Sequence, residues 1–337
     1  MEISYKSFDL ELKNTFTISH GSRDFQPTLI VKITDSGYTG YGEAAATVYY
    51  GVTVEKMINS IRSVESIIAE NIHLTPEEIW KLTFPHLKEN PFAQCALDMA
   101  LYDLHGKRNN KPLYELWGLD PKDIPLTNYT IGIDSVENML RKMQEFPWPI
   151  YKIKLGTNED VKIIKELRKN SDAVFRVDAN AAWNVDQALE NIRAFNDLNV
   201  EFIEQPLHPE DLSGMEVLYK KSQLPLIADE SCIIEADVEK CVPYFHGVNI
   251  KLTKCAGITP GKRMILQARK LGMKVMVGCM TESTVGISAI AHLAPLLDYV
   301  DMDGAMLLKN DIADGVKIYD QKVHFPERSG TGAELLK

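Results

Sequence analysis

The stretch from Ile150 to Asp178 decides the architecture of this chain. It opens on Ile150-Tyr151-Lys152-Ile153-Lys154, passes through a segment with Val161, Ile164 and Leu167 at helical spacing, and closes on Val174-Phe175-Arg176-Val177-Asp178. Strand, helix and strand within about thirty residues make one βαβ unit, whose crossover lays the two strands parallel. The same grammar repeats on both sides. Further β-rich runs occur at Thr127–Ile133, Glu201–Glu204, Leu226–Ala228, Val248–Lys251, Lys274–Val277 and Tyr299–Met302. Amphipathic helices separate most of them: Ser135 to Glu145, the Leu189/Ile192/Phe195 stripe, and Met264/Ile265/Ala268/Leu271, opened by Pro260 and closed by Gly272. Eight strands with helical crossovers predict an α/β fold, a (β/α)8-type barrel over residues 121–309. No G-x-G-x-x-G follows a strand, which argues against an open dinucleotide-binding sheet. The eighth helix is short or missing.

Upstream the pattern differs. Phe8 to Lys13, Leu29 to Thr34 and Tyr38 to Glu43 read as strands, the last two joined by a hairpin at Asp35-Ser36-Gly37. Helical faces follow: one through Met57, Ile58, Ile61, Val64 and Ile68, one starting at the capping box Thr75-Pro76-Glu77-Glu78, and one from Pro91 to His105 that stops at Gly106. These make an α+β unit over residues 1–120, to which the tail 310–337 is expected to return.

The chain has 337 residues and a formal net charge of −10, with 45% hydrophobic and 25% charged residues. That is the composition of a globular protein, without the clustered Lys and Arg that a nucleic-acid or anionic-membrane surface needs. Five widely spaced cysteines without a C-x-x-C pair read as reduced thiols. The opening Met1–Lys6 lacks a basic-then-apolar signal layout, and no apolar run is long enough to span a bilayer. A soluble, cytoplasmic protein is expected, with self-association left open.

Polar residues end nearly every barrel strand, and a barrel's active site lies at that end. Lys154, Asp178, Glu204, Asp229, Lys251, Gly278 and Asp301 follow one another at steps of 22 to 27 residues, the length of one βα unit. Asp178, Glu204 and Asp229 therefore converge from consecutive strands. Any one of them alone reads as a helix N-cap. Three in register repel one another and require a cation, and hard oxygen donors without His or Cys suit Mg²⁺. Lys152 and Lys154, two apart on a strand, share the interior face, where like charge is expected to depress both pKa values. Lys251 stands almost opposite Lys154. A metal and two opposed lysines suit removal of an α-proton next to a carboxylate through an enediolate, with return of the proton on the other face. No nucleophile elbow surrounds Ser288, and no His-Glu-x-x-His occurs.

These residues resemble the muconate-lactonizing subgroup of the enolase superfamily over nearly the whole chain. The matching pieces are Gly40-Tyr41-Gly42-Glu43, the helix Ala96 to Leu104, Lys152-Ile153-Lys154, Val177-Asp178-Ala179-Asn180, Glu204-Gln205-Pro206, Ala228-Asp229-Glu230-Ser231 and Asn249-Ile250-Lys251-Leu252. The resemblance implies an N-terminal capping domain over the barrel, Mg²⁺ on Asp178, Glu204 and Asp229, bases at Lys154 and Lys251, and Lys152 assisting Lys154. Asp301-Met302-Asp303 resembles the dipeptide-epimerase branch, where such a pair binds the free α-ammonium group of a dipeptide. It implies an isomerase whose small-molecule partner is a dipeptide. Thr130, within the first strand, and Cys279 and Met280, after the seventh, are expected to join Asp301 and Asp303 as substrate contacts.

The capping loops expected to meet the substrate side chain are Ile18 to Phe25 and Thr47 to Val52. Arg23 is their only full positive charge and suits a glutamate γ-carboxylate, so L-Ala-D/L-Glu from peptidoglycan turnover is the expected substrate; Asp24 is the competing partner for Arg23. Tyr49 and Tyr50 suit an apolar side chain instead, and His20 and His208 read as structural. The rivals are an N-acylamino-acid racemase, an o-succinylbenzoate synthase, a muconate cycloisomerase and a catalytically silent ligand-binding barrel.

Overall fold

The computed structural model describes residues 1–122 and 124–336; residues 123 and 337, which the expected segments 121–309 and 310–337 include, lie outside them. Three antiparallel strands open the chain: β1 (Glu2–Ile18), β2 (Gly21–Asp35) and β3 (Tyr38–Ala45). Ser36 and Gly37 both take positive φ between β2 and β3, the turn that matches strand twist. Helices α1 (Val54–Arg62), α2 (Glu65–Asn71), α3 (Pro76–Leu87) and α4 (Pro91–Arg108) cover this sheet. The stripe from Met57 to Ile68 is thus split into two helices, with Val64 between them buried in the same core. The Thr75/Glu78 capping box starts α3 as expected.

Two expectations fail here. Gly106 does not stop α4, which runs on to Arg108. A Cβ at Gly106 would stand 2.5 Å from the Gly330 Cα, so this glycine serves close approach of the C-terminal tail. Ile18 to Phe25 is no loop either. Phe16 pairs with Arg23, Thr17 with Ser22 and Ile18 with Gly21, making the segment the tip of the β1–β2 hairpin.

The barrel strands are β4 (Tyr129–Ile131), β5 (Ile150–Lys154), β6 (Val174–Asp178), β7 (Val200–Glu204), β8 (Leu226–Ala228), β9 (Gly247–Ile250), β10 (Lys274–Gly278) and β11 (Tyr299–Asp301). They pair in parallel in chain order, and a bridge from Thr127 to Val300 joins the last to the first. Among the described residues, a 3-10 turn, Gly304–Leu307, stands where an eighth helix would follow β11. The tail reaches α4 and the segment after it: Lys107 pairs with Glu334 at 2.9 Å, and Leu113 donates to the Gly330 carbonyl.

The capping sheet and helices grip the barrel through buried acids. Glu43 on β3 accepts from the Ser283 and Gly286 amides at the start of helix Thr284–Ala291, and Asp98 on α4 accepts from the Thr259 amide and hydroxyl at the start of helix Ile258–Lys270. Each satisfies N–H groups that a helix leaves unpaired at its N-terminus. The hairpin tip also lies over the barrel mouth, where the Thr17 carbonyl accepts from Ile133 and Ser19 donates to the Asn180 carbonyl.

Candidate active site

The C-terminal ends of the barrel strands deliver the expected acids to one place. One carboxylate oxygen from each of Asp178, Glu204 and Asp229 lies within 4.8 Å of the others, and all three side chains are buried. Asn249 donates to Glu204 Oε1 at 2.8 Å, whereas Glu204 Oε2, 2.8 Å from the Lys152 ammonium, accepts no hydrogen bond in that orientation. A buried carboxylate oxygen without a hydrogen bond, facing two further carboxylates, fits a hard divalent cation. Burial and the neighbouring Asp178 push the Glu204 carboxyl up to about 8. Against the cost of burial, Lys154 and Lys152 hold Asp178 low, and Lys251 and Lys254 do the same for Asp229.

The lysines surround this cluster. Lys154 donates to Asp178 Oδ2 at 2.6 Å, and Lys152 contacts Asp178, Glu204 and Asp301 at 3.1, 2.8 and 2.9 Å. On the opposite side Lys251, directly after β9, stands 2.8 Å from Asp229 Oδ2. Lys152 does not show the expected like-charge depression. Despite burial, Asp301, Glu204 and Asp178 raise its pKa well above the ordinary range, because three contacting acids outweigh one neighbouring lysine. Lys251 is likewise raised, by Asp229 against the cost of burial.

Asp301 and Asp303 line the same cavity, about 110 Å³ in volume, but inside its wall and not on its rim. Lys152 and Asn128 hold the two Asp301 oxygens, and the Thr130 amide donates to Asp303 Oδ2. Cys279 Sγ lies 4.0 Å from Asp303 Oδ1. Burial and then Asp301 push the Asp303 carboxyl up to about 8, while Lys152 overcomes burial to hold Asp301 low. Thr130, Cys279 and Met280 border the cavity, as do Arg23, His20, Tyr49 and Tyr50. The Arg23 guanidinium donates to Thr281 Oγ1 at 3.0 Å, and its Nε is buried without a partner. Asp24 does not take it; that carboxylate accepts from Thr15 at 2.6 Å. His208 is on the surface beside Glu210.

Sequence reasoning missed Lys254. Its ammonium donates to the Asp229 carbonyl, Asp229 Oδ1 and the Cys232 carbonyl, and the side chain is 1% exposed. The available signal was a second lysine three residues after Lys251, one turn on in the short helix Leu252–Cys255. Glu230, next to Asp229, also borders the cavity and accepts from Asn180.

Residues 134–337 match the family described as Enolase C-terminal domain-like, and residues 4–118 match the Mandelate racemase / muconate lactonizing enzyme, N-terminal domain. The chain belongs to the mandelate racemase / muconate lactonizing enzyme family. It is 54% identical over 336 residues to an L-Ala-D/L-amino acid epimerase of Flavobacterium johnsoniae, with 100% of each chain covered. A Maribacter sp. protein of the same name is 56% identical over 337 residues, covering 99% of each. Among solved structures, the dipeptide epimerase from Enterococcus faecalis complexed with Mg and the dipeptide L-Leu-L-Tyr matches with a TM-score of 0.91 at 30% identity, covering 98% of each chain. Among the described residues, no helix is long and apolar enough to cross a membrane.

Proposed function

We propose that this chain is a Mg²⁺-dependent dipeptide epimerase that inverts the α-carbon of the C-terminal residue, acting on L-Ala-D/L-Glu. The observation that carries the reading is the placement of Lys154 and Lys251 on opposite sides of the carboxylate cluster, each bonded to one of its members. Binding alone needs no proton-transfer group on either side, so a catalytically silent barrel explains this arrangement poorly. The relatives named above as epimerases support the same chemistry.

Asp178, Glu204 and Asp229 would hold the Mg²⁺. When bound, Mg²⁺ stabilises the charge that builds on the substrate carboxylate as the α-proton leaves. One of Lys154 and Lys251, as the neutral amine, removes that proton and keeps it, and the other, as the ammonium, delivers a proton of its own to the opposite face of the α-carbon. Lys152, tied to three acids, keeps its proton and positions Asp178 and Glu204 beside Lys154. Asp301 and Asp303 receive the α-ammonium group of the N-terminal residue, with the Thr130 amide and Cys279 fixing Asp303. Arg23 and Met280 face the C-terminal side chain, and the buried, unpaired Arg23 Nε suits its γ-carboxylate. In this reading residues 1–120, with 310–337, supply the specificity surface, and 121–309 supplies the chemistry. Peptidoglycan turnover in the cytoplasm is the corresponding context.

Proton NMR in deuterium oxide, with Mg²⁺ and a library of L,L-dipeptides, tests the proposal. Deuterium entering the C-terminal α-position of L-Ala-L-Glu, with the epimer appearing, is the expected result. Exchange confined to dipeptides with apolar C-terminal residues would remove the role given to Arg23. No exchange with any dipeptide would favour the acylamino-acid, succinylbenzoate and cycloisomerase chemistries.

A further inference from the structure

Thr281 lies between two pinned points. On one side Cys279 donates to the Asp301 carbonyl at 2.7 Å, and on the other Ser283 donates from its amide and hydroxyl to Glu43. The residue is 4% exposed and borders the cavity, and its backbone is held on both sides. That hydroxyl accepts from Arg23 Nη2 at 3.0 Å, and the Arg23 guanidinium carbon also sits 5.4 Å over the Phe16 ring. Arg23 is carried on a hairpin tip whose neighbours Ser22, Asp24 and Phe25 are exposed. No carboxylate among the described residues forms an ion pair with it, and its Nε has no acceptor. An arginine side chain held by one neutral acceptor and one ring face depends heavily on that acceptor for its direction.

We propose that Thr281 is a specificity-determining positioning residue: it spends one Nη2 hydrogen of Arg23 to hold the guanidinium against the cavity wall, which leaves the Nε edge for an acidic side chain of the substrate. The inference rests on the reading that Arg23 meets the C-terminal side chain. Glu43 acts upstream of it, because its bonds to Ser283 and Gly286 fix the segment that carries Thr281. The site therefore takes dipeptides with a carboxylate on the C-terminal residue by way of a contact between the capping hairpin and the loop after β10.

Two dipeptides separate the claims, L-Ala-L-Glu and L-Ala-L-Leu, assayed with Mg²⁺-loaded protein. In Thr281→Val the shape is kept and the acceptor is lost. Its kcat/KM for L-Ala-L-Glu should fall about tenfold, mainly through KM, with L-Ala-L-Leu unchanged. Thr281→Ser, which keeps the hydroxyl, should restore the wild-type ratio. Equal losses on both substrates, or an unchanged ratio in Thr281→Val while Arg23→Met abolishes the preference, would overturn the role of Thr281 and leave that of Arg23 standing. An unchanged ratio in Arg23→Met would overturn the underlying reading as well.

Discussion

Lys254 holds Asp229 by both its backbone and its side chain, since one ammonium donates to the carbonyl oxygen and to Oδ1. The other carboxylate oxygen of Asp229 is left to Lys251 at 2.8 Å. One lysine thus fixes the acid while the other lines the cavity.

Lys254→Met should therefore remove the ammonium from Asp229 Oδ1 and from the Cys232 carbonyl, while the Asp229 carbonyl keeps the Cys232 amide. Breaking a buried pair from one side costs about 3 kcal/mol or more, so the variant should unfold at markedly lower denaturant in chelator. Mg²⁺ should recover part of that loss, because a cation on Asp229 replaces the missing positive charge. Superimposable unfolding curves for variant and parent would contradict the assignment.

Lys154→Ala and Lys251→Ala should each abolish epimerisation, by roughly a thousandfold, as expected for loss of one proton-transfer group. Each should still exchange the α-proton of only one epimer, since the surviving lysine reaches one face. Deuterium exchange followed from both L-Ala-L-Glu and L-Ala-D-Glu reads this directly. A single variant with full activity would break the two-base scheme.

The barrel was legible in the sequence because its signal is local and repeated: an apolar run, a charged residue at its end, and a helix, again and again at one spacing. Asp178, Glu204 and Asp229 came with it, since residues that end consecutive strands must converge. The hairpin tip around Arg23 was not legible, because pairing Phe16 with Arg23 is a cross-strand relation that Ser19, Gly21 and Ser22 disguise as a loop. Gly106 misled for a similar reason: its partner, Gly330, lies far along the chain. Lys254 escaped notice because a lysine on a helical turn ordinarily faces water, and here the Asp229 carboxylate pulls it inward.

Glu204→Gln keeps the side-chain shape and an oxygen for Asn249 but cannot ionise to hold a cation. Wild-type protein should gain about 2.7 kcal/mol of stability at Mg²⁺ a hundredfold above its dissociation constant. The variant should show little of that gain at the same concentration, measured as a thermal shift independent of turnover. An equal shift in both proteins would place the cation elsewhere.

Burial pushes the Asp98 carboxyl up from 3.8 to about 7, against the hydrogen bonds it accepts from Thr259. The folded protein then holds that proton more tightly than the unfolded chain does, so its contribution to stability falls as pH rises from about 4 to 7 and is level above that. The full span is on the order of 4 kcal/mol. Asp98→Asn does not titrate and still offers an oxygen to the Thr259 amide. Its stability relative to wild type should climb across that interval in urea titrations at a series of pH values, and a difference independent of pH would refute the assignment.

The carboxylates at the end of β11 make a charge requirement of the substrate testable without touching the protein. Asp301 is ionised against Lys152 and Asn128, and its charge in turn raises the Asp303 carboxyl. A positive group entering beside Asp303 Oδ1 lets both acids ionise, so the free α-ammonium of the N-terminal residue gains at two acids at once. Propionyl-L-glutamate keeps the amide and the carbon skeleton of L-Ala-L-Glu but lacks the ammonium, and it adds no bulk. Its kcat/KM should be lower by about 100-fold or more, a loss typical of a charged partner left unmatched in a buried site. In Asp303→Asn the gap between the two substrates should narrow, because one of the two acids has gone. Equal turnover of propionyl-L-glutamate and L-Ala-L-Glu by the wild-type protein would show that Asp301 and Asp303 do not read the ammonium, and would move the substrate class toward N-acylated amino acids.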